Sequence, residues 1–499
     1  MNAAEDSSTR GLQSIALDPD RLFPAEPSVR GIARELHALV AELPILSPHG
    51  HVPAQVLLEN SPFEDPASLL ISPDHYVTRL IHASGVDLAE LGVGGASAEP
   101  REIWRKFCAA WPLFDGTASG YWLRSELVEL FGVDDELIDA EHADPIFDQL
   151  VAALKTPAFL PRALFDSFRI EVLATTDDPL DSLDAHRALA ADPSFTGRVI
   201  PTFRPDRYLN AATPGFAERV DRLISEAGEG VAGYQGYLRA LQNRRAYFIQ
   251  HGAVSADHGV RTPRTLKLEQ AEAARLFEAA MRGDLSPQER DAFEAQMIYQ
   301  MARMSVADGL VMTVHPGSFR DHHTPSFERF GPDTGHDIPV PVSYTEGLRP
   351  LLNDFGDSPG FQLLLFTLDE TVFSRELAPL AGFYPAVYLG APWWFLDAPD
   401  AMLRFRSAVT ETAGFSRSAG FVDDTRAFCS IPARHDASRR VEAAFLARLV
   451  AEKRLRGDRA AEIIVDLVDG APRRAFKLGA FKSGAFEPSA FELGEGSVR

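Results

Sequence analysis

Two histidines separated by a single glycine, His49 and His51, are the side chains whose spacing most directly suggests chemistry. They follow a short apolar run at residues 43–46, and residues i and i+2 of an extended strand point to the same side. Two imidazoles at the end of a strand can therefore converge on one metal ion, with a carboxylate from elsewhere as a third ligand. Nitrogen and oxygen ligands of this kind suit Zn²⁺, and also Mn²⁺ or Fe²⁺. The alternative is that both histidines are half buried and only cap the strand.

Short apolar runs that end in polar or charged residues recur along the chain, and helical patterns lie between most of them. We interpret eight runs as strands, at residues 45–51, 170–176, 198–203, 246–251, 310–315, 361–366, 385–389 and 419–422. Strand and helix alternating about eight times predicts a parallel sheet closed into a (β/α)₈ barrel, an α/β fold.

Polar residues follow these runs at the carboxyl ends of the strands, where barrel enzymes build their active sites. The candidates are His49 with His51, residues 176–178, Arg204, His251, His315 and Asp424. One such residue would mean little. Six positions that match the same end of the barrel predict an enzyme rather than a plain scaffold.

The chain also suggests a division into three parts. Residues 1–42 read as an N-terminal arm or helix, and residues 43–470 as the barrel. The gap after the first strand, about residues 52–165, is too long for a simple crossover, so we expect an inserted helical subdomain there. Residues 471–499 contain four Ala-Phe pairs at a period of five, which fits neither helix nor strand. This tail either lies along a groove or is flexible.

Composition limits the class of protein. The 499 residues are 45% hydrophobic and 24% charged, as in a globular chain with a large core. The net charge of −22 argues against nucleic acid and anionic membranes as partners. Two cysteines without paired spacing and the lack of a signal-peptide pattern favour the cytoplasm. The size of the barrel and the aromatic tail make a homo-oligomer reasonable.

A series of motifs, kept in order from about residue 43 to 440, resembles one known family. The matching text is His-x-His at 49–51, His-Tyr-x-x-Arg at 75–79, Thr-Thr-Asp-Asp-Pro-Leu at 175–180, Pro-Thr-Phe-Arg-Pro-Asp at 201–206, Asp-His-Gly at 257–259, His-Pro-Gly-Ser-Phe-Arg at 315–320, Gly-Pro-Asp-Thr-Gly-His-Asp at 331–337, Trp-Trp-Phe at 393–395 and Asp-Thr-Arg-Ala-Phe at 424–428. The chain resembles the uronate isomerases, a branch of the metal-dependent amidohydrolase superfamily.

The resemblance implies interconversion of an aldehyde-form hexuronate, such as D-glucuronate or D-galacturonate, with its 2-keto isomer, D-fructuronate or D-tagaturonate. It implies that His49, His51 and Asp424 hold one divalent metal ion, with zinc as the first choice. Asp424 would then shuttle the proton between C2 and C1, Tyr76 would be a second acid–base group, and Arg426 would steady the enediolate.

The substrate of such an enzyme is a small sugar acid whose carboxylate suits an arginine. Arg204 is the first choice for this contact because it ends a strand, and the alternative is an ion pair with Asp206 or Asp178. The remaining substrate-binding candidates are Arg79, His75, His315, Trp394 and Arg440. For Arg440 the alternative is a solvated side chain or a salt bridge between helices.

Several loops depart from the family pattern. Ser47 stands where the family usually has aspartate, and an Arg-Asn-Asn-Asn run becomes residues 320–323, Arg-Asp-His-His. Residues 436–438 lose two aromatic residues, and Tyr121 replaces a histidine. The metal and arginine residues therefore match while the loops around them differ, which leaves the chemistry predicted and the choice of sugar open.

Two other readings remain open from the sequence. The chain could be a related metal-dependent enzyme acting on a different sugar acid or a hydrolysable substrate, or a barrel without catalytic activity. Hydrolases of the superfamily often bridge two metals with a carbamylated lysine. No lysine follows a middle strand run here, since the nearest, Lys267, lies in a loop-to-helix stretch.

Overall fold

The computed structural model describes residues 17–479, which form two compact units. One unit comprises Pro62–Leu160 together with residues 17–21. The other comprises Leu22–Ser61 and the chain from Pro161 onward. The boundaries proposed from the sequence, with an insertion at about 52–165 inside a barrel at 43–470, stay a prediction.

The second unit contains all of the strands. Their bounds are β1 Ile45–Ser47, β2 Ile170–Ala174, β3 Arg198–Ile200, β4 Ser255–Val260, β5 Val311–Pro316, β6 Ser318–Phe319, β7 Ile338–Pro339, β8 Leu363–Leu365 and β9 Val387–Leu389. β1, β2 and β3 form one parallel sheet, β4, β5, β8 and β9 form another, and β6 and β7 form an antiparallel hairpin.

Single bridges connect the two parallel sheets in barrel order. Phe203, just beyond β3, pairs in parallel with Ala256 of β4, and Leu389 of β9 pairs with Ser418. The His51 amide beyond β1 donates to the Thr425 carbonyl over 2.9 Å. The parallel strands and these single contacts therefore follow the order of a (β/α)₈-type barrel, and the predicted α/β fold class is confirmed.

Helices alternate with these strands. In this unit their bounds are Pro27–Ala38, Ala54–Glu59, Pro161–Ser167, Asp184–Ala191, Asp206–Leu209, Phe216–Ala227, Gly233–Gln250, Gln270–Arg282, Pro287–Asp308, Thr324–Phe330, Tyr344–Gly347, Arg349–Phe355, Ala378–Phe383, Pro399–Ala413, Ile431–Ala451, Gly457–Val465 and Ala471–Ala475. Pro287–Asp308 starts with a capping box, in which the side chains of Ser286 and Glu289 each accept from the other's backbone amide.

The fourth strand is not where the apolar run at 246–251 predicted it, and that prediction was wrong. These residues end the helix Gly233–Gln250, whose buried residues Tyr237, Leu241 and Phe248 recur at helical spacing. The strand is β4, with the sequence Ser-Ala-Asp-His-Gly-Val. It gives no hydrophobic signal because its buried polar side chains are paired with neighbouring strands.

The eighth predicted strand, at 419–422, is also wrong as a regular element. Within the described part of the chain this segment joins the sheet only through the bridge at Ser418 and the amide of Ala419, which donates to Leu389 over 2.8 Å. Gly420 has φ +76°, which breaks extended geometry. The segment still delivers the following polar residues to the carboxyl end of the barrel.

The unit formed by Pro62–Leu160 is helical. Its α-helices are Pro66–Leu70, His75–Ala83, Pro100–Ala109, Ala118–Ser125 and Ala143–Leu154. Trp104, Phe107 and Phe114 pack against one another in its core, with ring centroids 5.1 and 5.7 Å apart. The composition of this segment predicted helices, and it forms helices.

The structure bears on two further features, the Ala-Phe repeat and the question of a membrane-spanning helix. Ala475 and Phe476, the first pair of the Ala-Phe repeat, are buried, whereas residues 480–499 of the predicted tail lie outside the described residues. Within residues 17–479, no helix combines the length and apolar character that a membrane span would need.

Arg439 anchors the entry to β1. This buried side chain, on the helix Ile431–Ala451, donates to the carbonyls of Ala41 and Leu43 over 2.9 Å and of Pro44 over 3.2 Å. The buried Arg439 guanidinium thus fixes the start of β1, the strand that leads directly to both histidines.

We expect Arg439→Met to lower the free energy of unfolding by about 2–4 kcal/mol, because it leaves buried carbonyls without donors. The measurement is urea unfolding followed by circular dichroism. Arg448→Met is a control on the same helix, since its side chain is 44% exposed, and it should change the value by less than about 0.5 kcal/mol. Equal effects of the two substitutions would contradict the anchoring role.

Candidate active site

His49 and His51 lie just beyond β1, and both face one carboxylate. The Nε2 atoms of His49 and His51 are 3.3 and 2.8 Å from Oδ1 of Asp424. The hydrogen bond from the His51 amide to Thr425 holds the two chain segments together. The structure thus brings together the three residues that the sequence predicted as metal ligands.

Asp424 has a left-handed backbone, with φ +42°. Residues other than glycine adopt this region uncommonly, although aspartate tolerates it better than most. The neighbouring Asp423 is buried and its carboxylate faces His435 at 3.1 Å. With this φ at Asp424 the two adjacent carboxylates reach different partners. Asp424 meets the two histidines that follow β1, and Asp423 faces His435.

A second buried carboxylate, Asp257 in the middle of β4, completes the centre of the barrel. Its Oδ1 accepts from Thr313 Oγ1 and lies within hydrogen-bond distance of His315 Nδ1, both at 2.6 Å. Its Oδ2 is 3.3 Å from Nη1 of Arg204. Asp257 of β4 therefore contacts Thr313 and His315 of β5 and Arg204, which follows β3.

The histidine rings are fixed by stacking. The ring of His315 lies between His49, at a centroid distance of 4.6 Å, and Phe366, at 4.0 Å, with both pairs nearly parallel. Trp393 meets it edge-on at 4.8 Å. The Nε2 atom of His315 is buried and has no hydrogen-bond partner among the residues that the structure describes. His315 is thus held in one orientation with one nitrogen free.

Electrostatics keep the two carboxylates ionised. Burial opposes ionisation, but His49 and His51 hold the pKa of Asp424 well below its usual range. Burial likewise opposes ionisation of Asp257, where His315 and Arg204 hold the carboxyl pKa well below its usual range. Burial lowers the pKa of His315, which favours the neutral imidazole that binds metals.

The donor set fits a divalent metal ion. One ligand atom from each of His49, His51 and Asp424 lies within 4.8 Å of the others, and the same holds for His49, Asp257 and His315. Nδ1 of His49 is buried and has no hydrogen-bond partner within residues 17–479, and Oδ1 of Asp424 is buried against the Nε2 atoms of both histidines. Buried polar atoms normally have partners, so a cation that several of these groups share would complete the site.

Arg204 is engaged on both sides by carboxylates. Its Nε donates to Asp206 over 2.8 Å, and Nη1 faces Asp257. A Cβ atom at Gly259 would lie 2.7 Å from Nη2 of Arg204, so a larger residue there would displace the guanidinium from its present position. The ion pair with Asp206 considered from the sequence is present. The role of Arg204 in binding substrate stays a prediction.

Other predicted residues meet on the loop after β5. The Arg320 guanidinium lies 4.8 Å above the ring of Trp394 and pairs with Asp333 at 3.2 Å. Nη2 of Arg426 is 3.6 Å from the same Asp333 carboxylate. Arg426 and Trp394 therefore belong to one network, which begins two residues after Asp424.

The other four predicted residues make contacts of their own. Arg440 pairs with Asp436 of its own helix at 2.7 Å and lies 5.1 Å from the Phe23 ring, so its salt bridge lies within one helix and not between helices. His75, Tyr76 and Arg79 belong to the helix His75–Ala83 of the helical unit, where the rings of His75 and Tyr76 stack at 4.8 Å. The roles of all four stay predictions.

A cleft of about 260 Å³ opens beside His315. Its lining is Asn210, Gly259, Val260, Arg261, Glu294, His315, Ser318, Phe319 and Arg320. Its polar lining combines two arginines, one carboxyl group and a buried Ser318 hydroxyl without a partner among the described residues. Such a lining suits a small polyhydroxylated acid better than an apolar ligand.

Asp257 and Glu294 were not predicted as site residues. Asp257 was missed because the fourth strand was placed at 246–251, so that its motif Asp-His-Gly had no position on the barrel. The signal was available in the chain, since an aspartate and a histidine in a short segment before a helix predict a polar strand end. Glu294 lies inside a long helix, and nothing in its spacing indicates that it faces a cleft.

Comparisons with known proteins agree with this geometry. A sequence model of the glucuronate isomerase family matches residues 29–474. The chain belongs to this family. It is 56% identical to a uronate isomerase from Corynebacterium efficiens over 93% of this chain and 99% of the relative.

Solved structures show the same relationship. The chain resembles the crystal structure of glucuronate isomerase from Caulobacter crescentus with a TM-score of 0.91 and 46% identity, covering 94% of this chain and 98% of that one. It resembles a uronate isomerase from Thermotoga maritima with a TM-score of 0.86 and 29% identity, over 92% and 99%. The family and the fold inferred from the motifs are confirmed.

The Glu294 carboxyl group, which lines the cleft, makes the stability of the protein depend on pH. Burial, with Asp206 and Asp291 nearby, raises the pKa of the Glu294 carboxyl to about 7. The folded protein therefore keeps a proton that the unfolded chain releases near pH 4, and the stability of the wild type falls as the pH rises from there through 7.

We expect Glu294→Gln to remove this fall. The gain in free energy of unfolding over the wild type should be about 2 kcal/mol larger at pH 8 than at pH 5. Urea unfolding at both pH values measures it. Glu278→Gln, at an exposed position on the helix Gln270–Arg282, is the control and should show no such difference. A parallel pH dependence of Glu294→Gln and wild type would contradict the prediction.

Proposed function

We propose that this chain interconverts a hexuronate, D-glucuronate or D-galacturonate, with its 2-keto isomer, D-fructuronate or D-tagaturonate. The observation that carries this proposal is the convergence of His49, His51 and Asp424 at the carboxyl end of the barrel, beside a polar cleft, in a member of the glucuronate isomerase family. Relatives that are named uronate isomerase match nearly their whole length.

The reaction moves a proton from C2 to C1 and shifts protons between the two oxygens. The C2 proton is weakly acidic, so the site must accept it and stabilise an enediolate. Asp424 is suited to accept it because it is ionised at neutral pH, and the same group can return the proton to C1. The Arg426 guanidinium, close in sequence and paired with Asp333, supplies positive charge for the enediolate oxygens.

His49, His51 and Asp424 would hold the metal ion, with zinc preferred over manganese or iron, and a bound ion would withdraw electron density from chelated substrate oxygens. The stack of His49, His315 and Phe366 keeps the imidazoles in place. Asp257 supports this arrangement by fixing the orientation of His315 through Nδ1. The side chains of the barrel thereby position the reacting groups before the substrate arrives.

Substrate binding divides between several groups. Arg204 keeps the charge of Asp257 balanced and lies next to Gly259 at the wall of the cleft. Tyr76, as a second acid–base group, and the neighbouring His75 and Arg79 remain proposals that rest on the family motif. Trp394, below the Arg320 guanidinium, offers an indole face for sugar C–H groups.

The alternative of a hydrolase with a lysine-bridged metal pair receives no support from the structure. Lys267, the lysine nearest to a middle strand, pairs with Asp354 at 2.7 Å, and its side chain is largely exposed. A related enzyme acting on another sugar acid stays the second candidate because the loops at 321–323 and 436–438 differ from the family pattern. A cytoplasmic setting and a homo-oligomeric state are part of the same proposal.

We expect the metal-loaded protein to convert D-glucuronate, D-galacturonate or both to the ketose in D₂O, as followed by proton NMR. Asp424→Asn should lower turnover by about 10²–10⁴-fold because it removes the proton-accepting group. Asp400→Asn, at an exposed position at the start of the helix Pro399–Ala413, is the matched control and should keep wild-type turnover.

Full turnover by Asp424→Asn would remove the assignment of Asp424 while leaving the reaction in place. Lack of conversion of either sugar by folded protein that contains about one metal ion per chain would favour the second candidate. Sugar acids that differ in length and configuration would then be tested in the same assay.

A further inference from the structure

A second group of metal-binding side chains lies outside the histidine cluster of the barrel. One ligand atom from each of Asp321, His336 and Asp337 lies within 4.8 Å of the others. The hairpin of β6 and β7 brings them together, since Phe319 pairs with Ile338 and the same register, continued outward, places Asp321 opposite His336. The backbone amide of His322 donates to the His336 carbonyl, which extends this pairing.

The group contains buried polar atoms that have no hydrogen-bond partner. Both ring nitrogens of His336 and Oδ1 of Asp321 are inaccessible to solvent and unpaired within residues 17–479. A neutral imidazole carries one donor and one acceptor, and leaving both unsatisfied in a buried position is unfavourable. Because one ligand atom of His336 lies within 4.8 Å of those of Asp321 and Asp337, these unpaired atoms point to a missing shared partner.

The charge of the group indicates that this partner is a cation. Asp337 is 2% exposed, and its two oxygens accept from the Asp321 amide at 2.7 Å and from Arg320 at 2.9 Å. Arg320 and Arg426 both pair with Asp333, so two guanidinium groups face the three carboxylates of Asp321, Asp333 and Asp337. The group is therefore short of positive charge.

We propose that Asp321, His336 and Asp337 bind a second divalent transition-metal ion of the Zn²⁺ class. One imidazole nitrogen and two carboxylate oxygens are ligands that zinc accepts, whereas Ca²⁺ and Mg²⁺ prefer oxygen ligands alone. Asp321 is also one of the positions where this chain departs from the asparagine run of the family pattern. An amide would not supply the negative charge that the site requires.

An ion at this position would clamp the loop between β5 and β8. It would join the two arms of the hairpin just after β6 and just before β7, next to Arg320. Arg320 lines the cleft and lies over Trp394, so fixing the loop also fixes one wall of the cleft. The site is thus structural, and it does not depend on the reaction proposed for the barrel.

The test compares the full-length wild type with three full-length variants. Each protein is stripped with a chelator and dialysed against Zn²⁺, and its metal content is measured by inductively coupled plasma mass spectrometry. The wild type should hold about two ions per chain, and Asp321→Asn with His336→Phe should hold about one. His49→Ala with His51→Ala should also hold about one, because it keeps the loop site. His322→Asn, at an exposed position in the same loop, is the matched control and should keep about two.

The outcomes separate the two sites. A loop variant that binds as much zinc as the wild type overturns the proposal, and so does a wild type whose single ion is lost only in the His49 and His51 variant. A single ion that is lost only in the loop variant supports the loop site and contradicts the barrel site. His336→Phe alone replaces the double variant if circular dichroism shows that the double variant is unfolded.

A second readout uses stability. Zinc should raise the thermal midpoint of the His49→Ala, His51→Ala variant, since binding to the folded state alone stabilises it. The midpoint of the same variant that also carries His336→Phe should not respond to zinc. A response of equal size in both would overturn the loop site.

Discussion

At the centre of the barrel the Asp257 carboxylate is fully buried, accepts from Thr313, faces His315 over 2.6 Å and lies 3.3 Å from Arg204. A buried charge is tolerated only when it is paired and hydrogen-bonded. This requirement fixes the register of β4 against β5 and the position of the segment after β3. Because His315 in turn stacks on His49, the orientation of the metal-binding histidines depends on the same carboxylate.

The polar centre explains why the barrel is built from such short strands. β4 carries the buried Asp257 and His258, and both side chains hydrogen-bond to Thr313 of β5. Beyond the last regular pair, single hydrogen bonds such as that from His51 to Thr425 continue the closure. The backbone is thereby free to adopt the left-handed φ of Asp424, which a regular strand would not permit. Because the strand ends are irregular, the Asp424 carboxylate can reach the two histidines that follow β1.

The sequence predicted the helices and the hydrophobic strands because periodicity of 3.6 or 2 records which face is buried. It failed at β4, where polar residues are buried because they pair across strands, and at 246–251, where an apolar run belongs to a helix. The sequence showed that residues 320–323 depart from the family pattern, but it did not show that Asp321 could take part in a metal site. Only the hairpin register brings Asp321 to His336, which is fifteen positions away along the chain and has no local signal of its own.

The sequence by itself determined the pairing of His49 with His51, since strand geometry over two residues is local, and the ordered motifs determined the family. The tertiary structure decided that the Asp257 carboxylate lies between Arg204 and His315, and that Asp423 faces His435. These contacts join side chains that are far apart along the chain. Spacing along the chain carries information only over a few residues, whereas pairing of buried charges is settled by the packing of the whole barrel.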